Sequence, residues 1–153
     1  GIASVAIYHY SERHSPLASQ ANEAVEISGD SPSAAYLDVA QILAICQRLG
    51  VDAVHPGYGF LSENAGFAQA LAAESITFIG PSHESINLMG DKINSRHFVV
   101  EHGFPVAPSV TMDADAPGFI DAVKAMAFPL VVKASAGGGG KGMSSVRRSR
   151  IHT

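Results

Sequence analysis

The chain has little cysteine, no excess of basic residues and no long apolar run. Its single cysteine, Cys46, cannot form an internal disulfide, which is typical of a reducing compartment. With 10 Lys and Arg against 14 Asp and Glu, the net charge is -4, so electrostatics disfavour nucleic acid as a partner. No run of about 18 apolar residues is present, which disfavours a transmembrane helix, and the N-terminus lacks a signal-peptide pattern. We therefore expect an intracellular protein with no membrane partner.

The composition is that of a foldable chain. At 153 residues, 46% hydrophobic and 16% charged, it has the size of one globular domain and can bury a core. Its 7 histidines stand at none of the spacings typical of zinc ligands. The sequence therefore predicts no metal site.

Apolar patterns alternate between strand and helix along the chain. A short apolar run at 4–9 predicts a first strand. Apolar residues at three- and four-residue spacing after Leu37 predict a helix that Asp38 caps and Gly50 ends. The other predicted strands lie at 51–55, 76–79 and 129–134, and the other predicted helices follow Asn64 or lie at 85–88, 92–102 and 117–126, with Pro117 in a first helical position. This alternation predicts βαβ units and an α/β fold with a doubly wound parallel sheet.

Both ends of this pattern look incomplete. A doubly wound domain usually opens with a strand and a helix that do not precede the run at 4–9. At the other end, we expect the Gly-rich loop to have almost nothing after it to close against, and residues 147–153 to form a basic tail without periodicity.

The strongest local signal is the segment KASAGGGGKGM at 133–143, with five glycines in six positions after an apolar strand. Glycines let backbone N–H groups wrap a phosphate, and the flanking Lys133 and Lys141 supply charge. The pattern is neither GxxxxGK[ST] nor a GxGxxG that opens a helix, which disfavours a Walker-type NTPase and a nicotinamide dehydrogenase. The alternative interpretation is a flexible linker.

Two further segments are candidates for a site. HPGYGFLSEN at 55–64 follows a predicted strand, at the sheet edge where open α/β sheets bind ligands; the alternative is a tight turn followed by a helix cap. In MGDK at 89–92, Lys92 stands where a turn enters a helix, and it either reaches an anion or is solvated.

Four segments, in this order and with these gaps, resemble the biotin carboxylase family: HPGYGFLSEN at 55–64, FIGP at 78–81, MGDK at 89–92 and KASAGGGGKGM at 133–143. The resemblance covers the chain from about Val5 to Met143 and includes AAYLDVA at 34–40. The form of the Gly-rich loop is most similar to the biotin-bearing subunits of acyl-CoA carboxylases, which would connect the protein with fatty acid metabolism.

The resemblance implies a Rossmann-like preATP-grasp domain at 1–84, the start of an ATP-grasp domain at 85–146 and a divergent tail at 147–153. It also implies a ligase that uses MgATP and bicarbonate, through carboxyphosphate, to carboxylate N1 of biotin on a carrier domain or protein. A carboxyltransferase subunit is then a further partner, and a homodimer is expected for the full-length enzyme.

The same resemblance assigns residue roles. Lys92 and Lys133 are implied to contact the nucleotide, Gly139 and Gly140 its phosphates, and Met143 the region of the adenine. Phosphoryl transfer is catalysed mainly by positioning and charge neutralisation, which such groups provide.

The resemblance also implies that Tyr58, Gly59 and Glu63 face the bicarbonate and biotin side of the pocket. The family's magnesium-binding carboxylates and its catalytic groups correspond to positions beyond residue 153, and its opening strand has no counterpart here. Ser144 and Ser145 stand where the family usually has Arg-Val or Arg-Ile.

These departures predict that the 153-residue chain alone is inactive, and they leave open a non-enzymatic truncated product that keeps only its fold or a binding surface. The carboxylase part of a pyruvate carboxylase or of a urea amidolyase is a further alternative. We expect a cytoplasmic protein, or one of the mitochondrial matrix in a eukaryote.

Overall fold

The computed structural model describes residues 1–112, 118–134 and 142–147. The chain divides into two compact units, residues 1–87 and 88–153. The strands are β1 (Val5–His9), β2 (Glu23–Ile27), β3 (Ala53–Val54), β4 (Thr77–Phe78), β5 (Leu130–Lys133) and β6 (Met143–Val146). The helices are α1 (Pro16–Gln20), α2 (Pro32–Tyr36), α3 (Val39–Leu49), α4 (Ala65–Ala73), α5 (His83–Gly90), α6 (Lys92–Glu101) and α7 (Phe119–Lys124).

Parallel strands and helices alternate in the first unit, which confirms the predicted α/β class. β1 pairs with β2 in parallel, with Val5 opposite Glu23, and β3 pairs with β4 in parallel, with Ala53 opposite Thr77. Within the described residues these are two separate two-stranded sheets rather than one continuous sheet. The carboxyl ends of parallel strands carry the loops that form binding sites in such folds.

Helix α3 forms as its sequence predicts. The Asp38 carboxylate accepts a hydrogen bond from the Gln41 N–H at 3.0 Å, and Gly50 ends the helix in the left-handed conformation, with φ 60°. The helix buries Ile42, Ile45 and Cys46. Burial raises the pKa of the Cys46 thiol, which is consistent with a core residue.

Helix α4 supplies the centre of the apolar core. Asn64 caps it by accepting a hydrogen bond from the Phe67 N–H at 2.9 Å, as predicted. Phe67 and Leu71 are fully buried. They form a cluster with Ile42, Cys46, Leu61 and Ile76. This cluster anchors the segment between β3 and α4 because Leu61 belongs to it.

Three elements in residues 16–36 have no counterpart in the predicted pattern. Helices α1 and α2 each begin with a proline after a serine cap, and β2 has only Ile27 fully buried among its five residues. This region also contains a buried polar contact: the Nε2 atom of the buried His9 donates to the Gly29 carbonyl oxygen at 3.2 Å. Such a region lacks the apolar periodicity that signals an element.

In the second unit, helix α6 begins at Lys92 as predicted, while α7 begins at Phe119 with Gly118 as its N-cap; Pro117 lies outside the described residues. The expectation that almost nothing follows the Gly-rich loop is wrong. Strand β6 follows the loop and pairs antiparallel with β5 along all four residues of each strand. Of the predicted tail, Arg147 is described and exposed, and residues 148–153 lie outside the described part.

Candidate functional site

The segment at 55–64 leaves β3 as a tight turn and not as a continuation of the strand, which ends at Val54. The Gly57 N–H donates to Nδ1 of His55 at 3.0 Å, and Pro56 between them limits the backbone freedom of the turn. Gly57 has φ 70°, and Gly59 has φ 77° with ψ −160°, a conformation essentially restricted to glycine. The glycines are therefore required by this turn.

The turn presents the predicted pocket residues to solvent at the carboxyl end of β3. The side chain of Tyr58 is 100% exposed, and Gly59 and Glu63 are also exposed. Leu61, between them, is buried in the core cluster. A turn that is anchored by one apolar residue and exposes an aromatic ring, a glycine and a carboxylate can orient a small polar ligand.

Sequence reasoning missed the side chains that support this turn. The ring of Phe60 lies against the ring of Tyr36, with centroids 5.5 Å apart and planes at 31°. The Tyr36 hydroxyl donates to Oε2 of Glu12 at 2.7 Å. Burial, followed by this hydrogen bond, raises the pKa of Tyr36 to about 12. Only the aromatic character of both residues could have hinted at their contact.

In the second unit, Lys92 is the first residue of α6 and its side chain is exposed. Asp91 caps the helix and accepts hydrogen bonds from the N–H groups of Ile93 and Asn94, each at 2.8 Å. The bonds from Asn94 and then Ile93 lower the pKa of the Asp91 carboxyl. The cap thus fixes where the helix starts and where the Lys92 amine leaves the backbone.

The structure brings together two of the predicted nucleotide-binding residues. Lys133 ends β5, Met143 begins β6, and the two are direct partners in the antiparallel register. The Ala134 N–H donates to the Gly142 carbonyl oxygen at 3.2 Å and closes the base of the hairpin. Side chains of direct antiparallel partners lie on one face of a sheet, so the side chains of Lys133 and Met143 share a face at the base of the hairpin.

Gly139 and Gly140 lie outside the described residues. Among the residues that the structure describes, no three or more His, Cys, Asp or Glu side chains are grouped to hold a metal ion. The described helices also include none that is long and apolar enough to cross a membrane.

Two family models cover nearly all of the chain. The model of the biotin carboxylase N-terminal domain matches residues 1–86, and that of the ATP-binding domain of the carbamoyl-phosphate synthase L chain matches residues 91–151.

Relatives with a described function are similar along almost the whole chain. The propionyl-CoA carboxylase alpha chain of Ruegeria pomeroyi is 40% identical over 144 residues, which are 94% of this chain and 21% of that protein. The pyruvate carboxylase of Bacillus subtilis is 41% identical over 148 residues, which are 95% of this chain and 13% of that protein. The chain thus spans less than a third of the length of these relatives.

A solved structure has the same fold. The biotin carboxylase domain of Hydrogenobacter thermophilus 2-oxoglutarate carboxylase, a dimer in complex with MgADP, ADP and bicarbonate, matches with a TM-score of 0.87 and 38% identity. The match covers 96% of this chain and 32% of that one.

Proposed function

This chain belongs to the biotin carboxylase family, and from that premise we propose that it contributes one wall of the active site of an ATP- and bicarbonate-dependent ligase that carboxylates biotin. In this reaction a bicarbonate oxygen attacks the γ-phosphorus of ATP and ADP leaves, which gives carboxyphosphate. The bond between the carboxyl carbon and the phosphate oxygen then breaks, the carboxyl group passes to N1 of biotin, and the N1 proton leaves with the released phosphate. The biotin is carried on another domain or protein, and a carboxyltransferase is the next partner.

The observation that carries the proposal is the pairing of Lys133 with Met143 at the base of the Gly-rich hairpin. A primary amine beside a soft apolar side chain suits a nucleotide, which has a polyanionic end and a flat apolar end. The amine neutralises phosphate charge, and in sequence Gly139 and Gly140 lie between the two paired strands. Lys92 adds a second cation in the same unit.

The turn after β3 supports the bicarbonate and biotin side of the proposal. Tyr58 and Gly59 are exposed at the carboxyl end of a parallel strand, and Glu63 follows them within the same segment. We propose that this turn shapes the side of the site that takes bicarbonate and biotin.

Carboxylates would hold the magnesium of MgATP, and the resemblance assigns that role to none of the residues named above. We propose that the 153-residue chain by itself binds MgATP weakly and does not hydrolyse it. The unpaired, buried Cys46 supports a reducing compartment, the cytoplasm or, in a eukaryote, the mitochondrial matrix.

Among the branches of the family, we propose an acyl-CoA carboxylase, because the Gly-rich loop has the form ASAGGGGKGM. The 40% identity to a propionyl-CoA carboxylase alpha chain supports this choice. A biotin carboxylase of a pyruvate carboxylase is the second candidate, favoured by the 41% identity to the pyruvate carboxylase of Bacillus subtilis. Reconstitution with carboxyltransferases of both kinds, followed by carboxylation of propionyl-CoA or pyruvate, would decide between them.

Calorimetric titration of the chain with MgATP at low salt tests the nucleotide half-site. We expect saturable binding that weakens about 10-fold in Lys133→Ala and in Lys92→Ala, because each variant loses a cation beside phosphate. Lys124→Ala is the matched control, since Lys124 is a half-exposed lysine of the same unit that faces Asp121 at 4.0 Å. If all three variants bind MgATP as tightly as the parent chain, the proposed nucleotide site is wrong. If the chain alone hydrolyses ATP, the proposed inactivity is wrong.

A further inference from the structure

The backbone of Phe60 is strained. Its φ is 43°, in the left-handed region, and among the described non-glycine residues only Ser75 shares a positive φ. That conformation is unfavourable for an L-residue with a side chain, because its Cβ comes too close to the backbone. Such a residue keeps it only when its surroundings hold it in place, so the contacts of the Phe60 side chain decide the shape of the turn.

Those contacts come from helix α2. Phe60 is 54% exposed, yet its ring lies beside the ring of Tyr36, with centroids 5.5 Å apart and planes tilted by 31°. Aromatic rings at this separation attract each other beyond the effect of the apolar area that they bury. The pair therefore favours the left-handed conformation of Phe60 as long as the ring of Tyr36 stays in place.

A carboxylate fixes the far end of Tyr36. The hydroxyl donates to Oε2 of Glu12 at 2.7 Å, and the Ile7 carbonyl oxygen is a more distant acceptor at 3.4 Å. Hydrogen bonds to a charged group contribute more than neutral ones. Glu12 ends the 3₁₀ turn Tyr10–Glu12 that directly follows β1, so the ring of Tyr36 is tied to the end of a strand.

The helix that carries Tyr36 is also held close to the sheet. Ala35 is 0% exposed, and a Cβ on Gly29 would come within 2.6 Å of the Ala35 backbone nitrogen. Gly29 in turn accepts a hydrogen bond from the buried His9, the last residue of β1. Tyr36 is therefore connected to the end of β1 in two ways. Its hydroxyl is bound to Glu12, and its helix packs on Gly29, which is bound to His9.

From these contacts we propose that Tyr36, held by Glu12, is a positioning residue that keeps Phe60 in the left-handed conformation and thereby fixes where Tyr58 and Gly59 face the bicarbonate and biotin side of the site. The identity of the ligands in this proposal rests on the proposed function. The structural part, which is that the turn depends on Tyr36, is independent of the proposed function.

NMR of the isotopically labelled chain tests the structural part. A residue with positive φ gives a strong intraresidue cross-peak between its amide and α protons, and we expect Phe60 to give one. The Ser62 N–H donates to the Gly59 carbonyl oxygen at 2.9 Å and reports whether the turn is closed. We expect its hydrogen exchange to become about 10-fold faster in Tyr36→Phe, and faster still in Tyr36→Leu, which also loses the Phe60 cross-peak.

Two further variants separate positioning from general destabilisation. Glu12→Gln keeps an acceptor and should restore most of the protection that Glu12→Ala loses; both change an exposed side chain and leave the core intact. Tyr10→Phe removes a hydroxyl from an exposed tyrosine in the 3₁₀ turn that contains Glu12 and should leave Ser62 exchange unchanged. An unaltered Phe60 cross-peak with less than a twofold change at Ser62 in Tyr36→Leu and Glu12→Ala would overturn the proposal.

The ligand part is tested in the carboxylase of which these residues form part. We expect Tyr36→Phe to raise the KM for bicarbonate several-fold while the KM for ATP stays unchanged, because the turn lies apart in sequence from the nucleotide lysines. Equal rises in both KM values, or a fall in kcat alone, would overturn this role. Absence of any bicarbonate-dependent ATP hydrolysis in the parent enzyme would overturn the proposed function, and the NMR result would still decide whether Tyr36 holds the turn.

Discussion

Lys133 and Met143 stand opposite each other on antiparallel strands, at the two ends of the segment that carries the Gly-rich loop. The register gives the hairpin two distinct faces. One face carries the pairs Lys133–Met143 and Val131–Ser145. The other face carries the pair Val132–Ser144. A nucleotide that uses Lys133 must therefore approach from the first face.

A charge placed on either face tests this geometry. Met143→Glu puts a carboxylate opposite Lys133, and we expect MgATP binding to weaken about 10-fold because the amine is neutralised and phosphate is repelled. Met143→Leu should bind within about twofold of the parent. Ser144→Glu adds the same charge at the next residue but on the opposite face and serves as the control. Equal losses in both Glu variants, measured by calorimetry at one ionic strength, would show that the face does not matter.

The two glycines that end helices α3 and α5 predict opposite effects of alanine. Gly50 has φ 60°, so Gly50→Ala should lower the free energy of unfolding by about 1 kcal/mol. Gly90 lies within a helix, lacks a positive φ and has open space around its missing Cβ, so Gly90→Ala should raise that free energy by about 0.5 kcal/mol. Urea unfolding followed by circular dichroism measures both. A stabilising Gly50→Ala would contradict the helix end described here.

The elements that sequence reasoning predicted well are those in which local signals agree. In α3 a cap, an apolar face and a terminal glycine all predict the same helix. In α4 the Asn64 cap and the apolar residues Phe67 and Leu71 agree in the same way. Strand β2 was missed because Glu23 and Glu26 interrupt its apolar residues, and only pairing with β1 makes it a strand. Strand β6 was missed for a related reason, since two serines occupy its centre.

The candidate site shows the same limit. The glycines of the turn and the lysines can be identified from sequence, because their chemistry is local. The Phe60 conformation and its support by Tyr36 and Glu12 depend on contacts between residues far apart in the chain, and no local pattern predicts such contacts. The pairing of Lys133 with Met143 likewise needed β6.

The two units should differ in resistance to protease. In the described part of residues 88–147 no side chain is fully buried, whereas the first unit contains the clusters around Phe67 and Ile27. Cleavage within a helix requires local unfolding, which costs least where little apolar surface is buried. We expect trypsin to cut after Arg96 in α6 well before it cuts after Arg48 in α3. Mass spectrometry of a time course measures this order, and simultaneous cleavage at both arginines would contradict it.

The core cluster should respond to truncation at Phe67. This side chain is 1% exposed and packs edge-on against Phe78, with ring centroids 6.1 Å apart. Phe67→Ala removes a buried ring and should lower the free energy of unfolding by about 3–5 kcal/mol. Leu17→Ala, at a position 61% exposed, should change it by less than about 0.5 kcal/mol. Thermal and urea unfolding of the two variants provide the comparison, and equal effects would place Phe67 outside the core.

Tyr36 predicts how stability falls at alkaline pH. Its pKa is raised from 10.0 to about 12, first by burial and then by the hydrogen bond to Glu12. Because the folded pKa is the higher one, the stabilising contribution is complete below pH 10 and is lost as the pH rises through 12. The difference in unfolding free energy between the parent and Tyr36→Phe should therefore stay constant up to pH 10 and shrink from there to pH 12. A tyrosinate absorbance difference between the two proteins should appear in the upper part of that window. A transition centred near pH 10 would contradict both the burial of the Tyr36 hydroxyl and its hydrogen bond to Glu12, and the support proposed for Phe60 would lose its anchor.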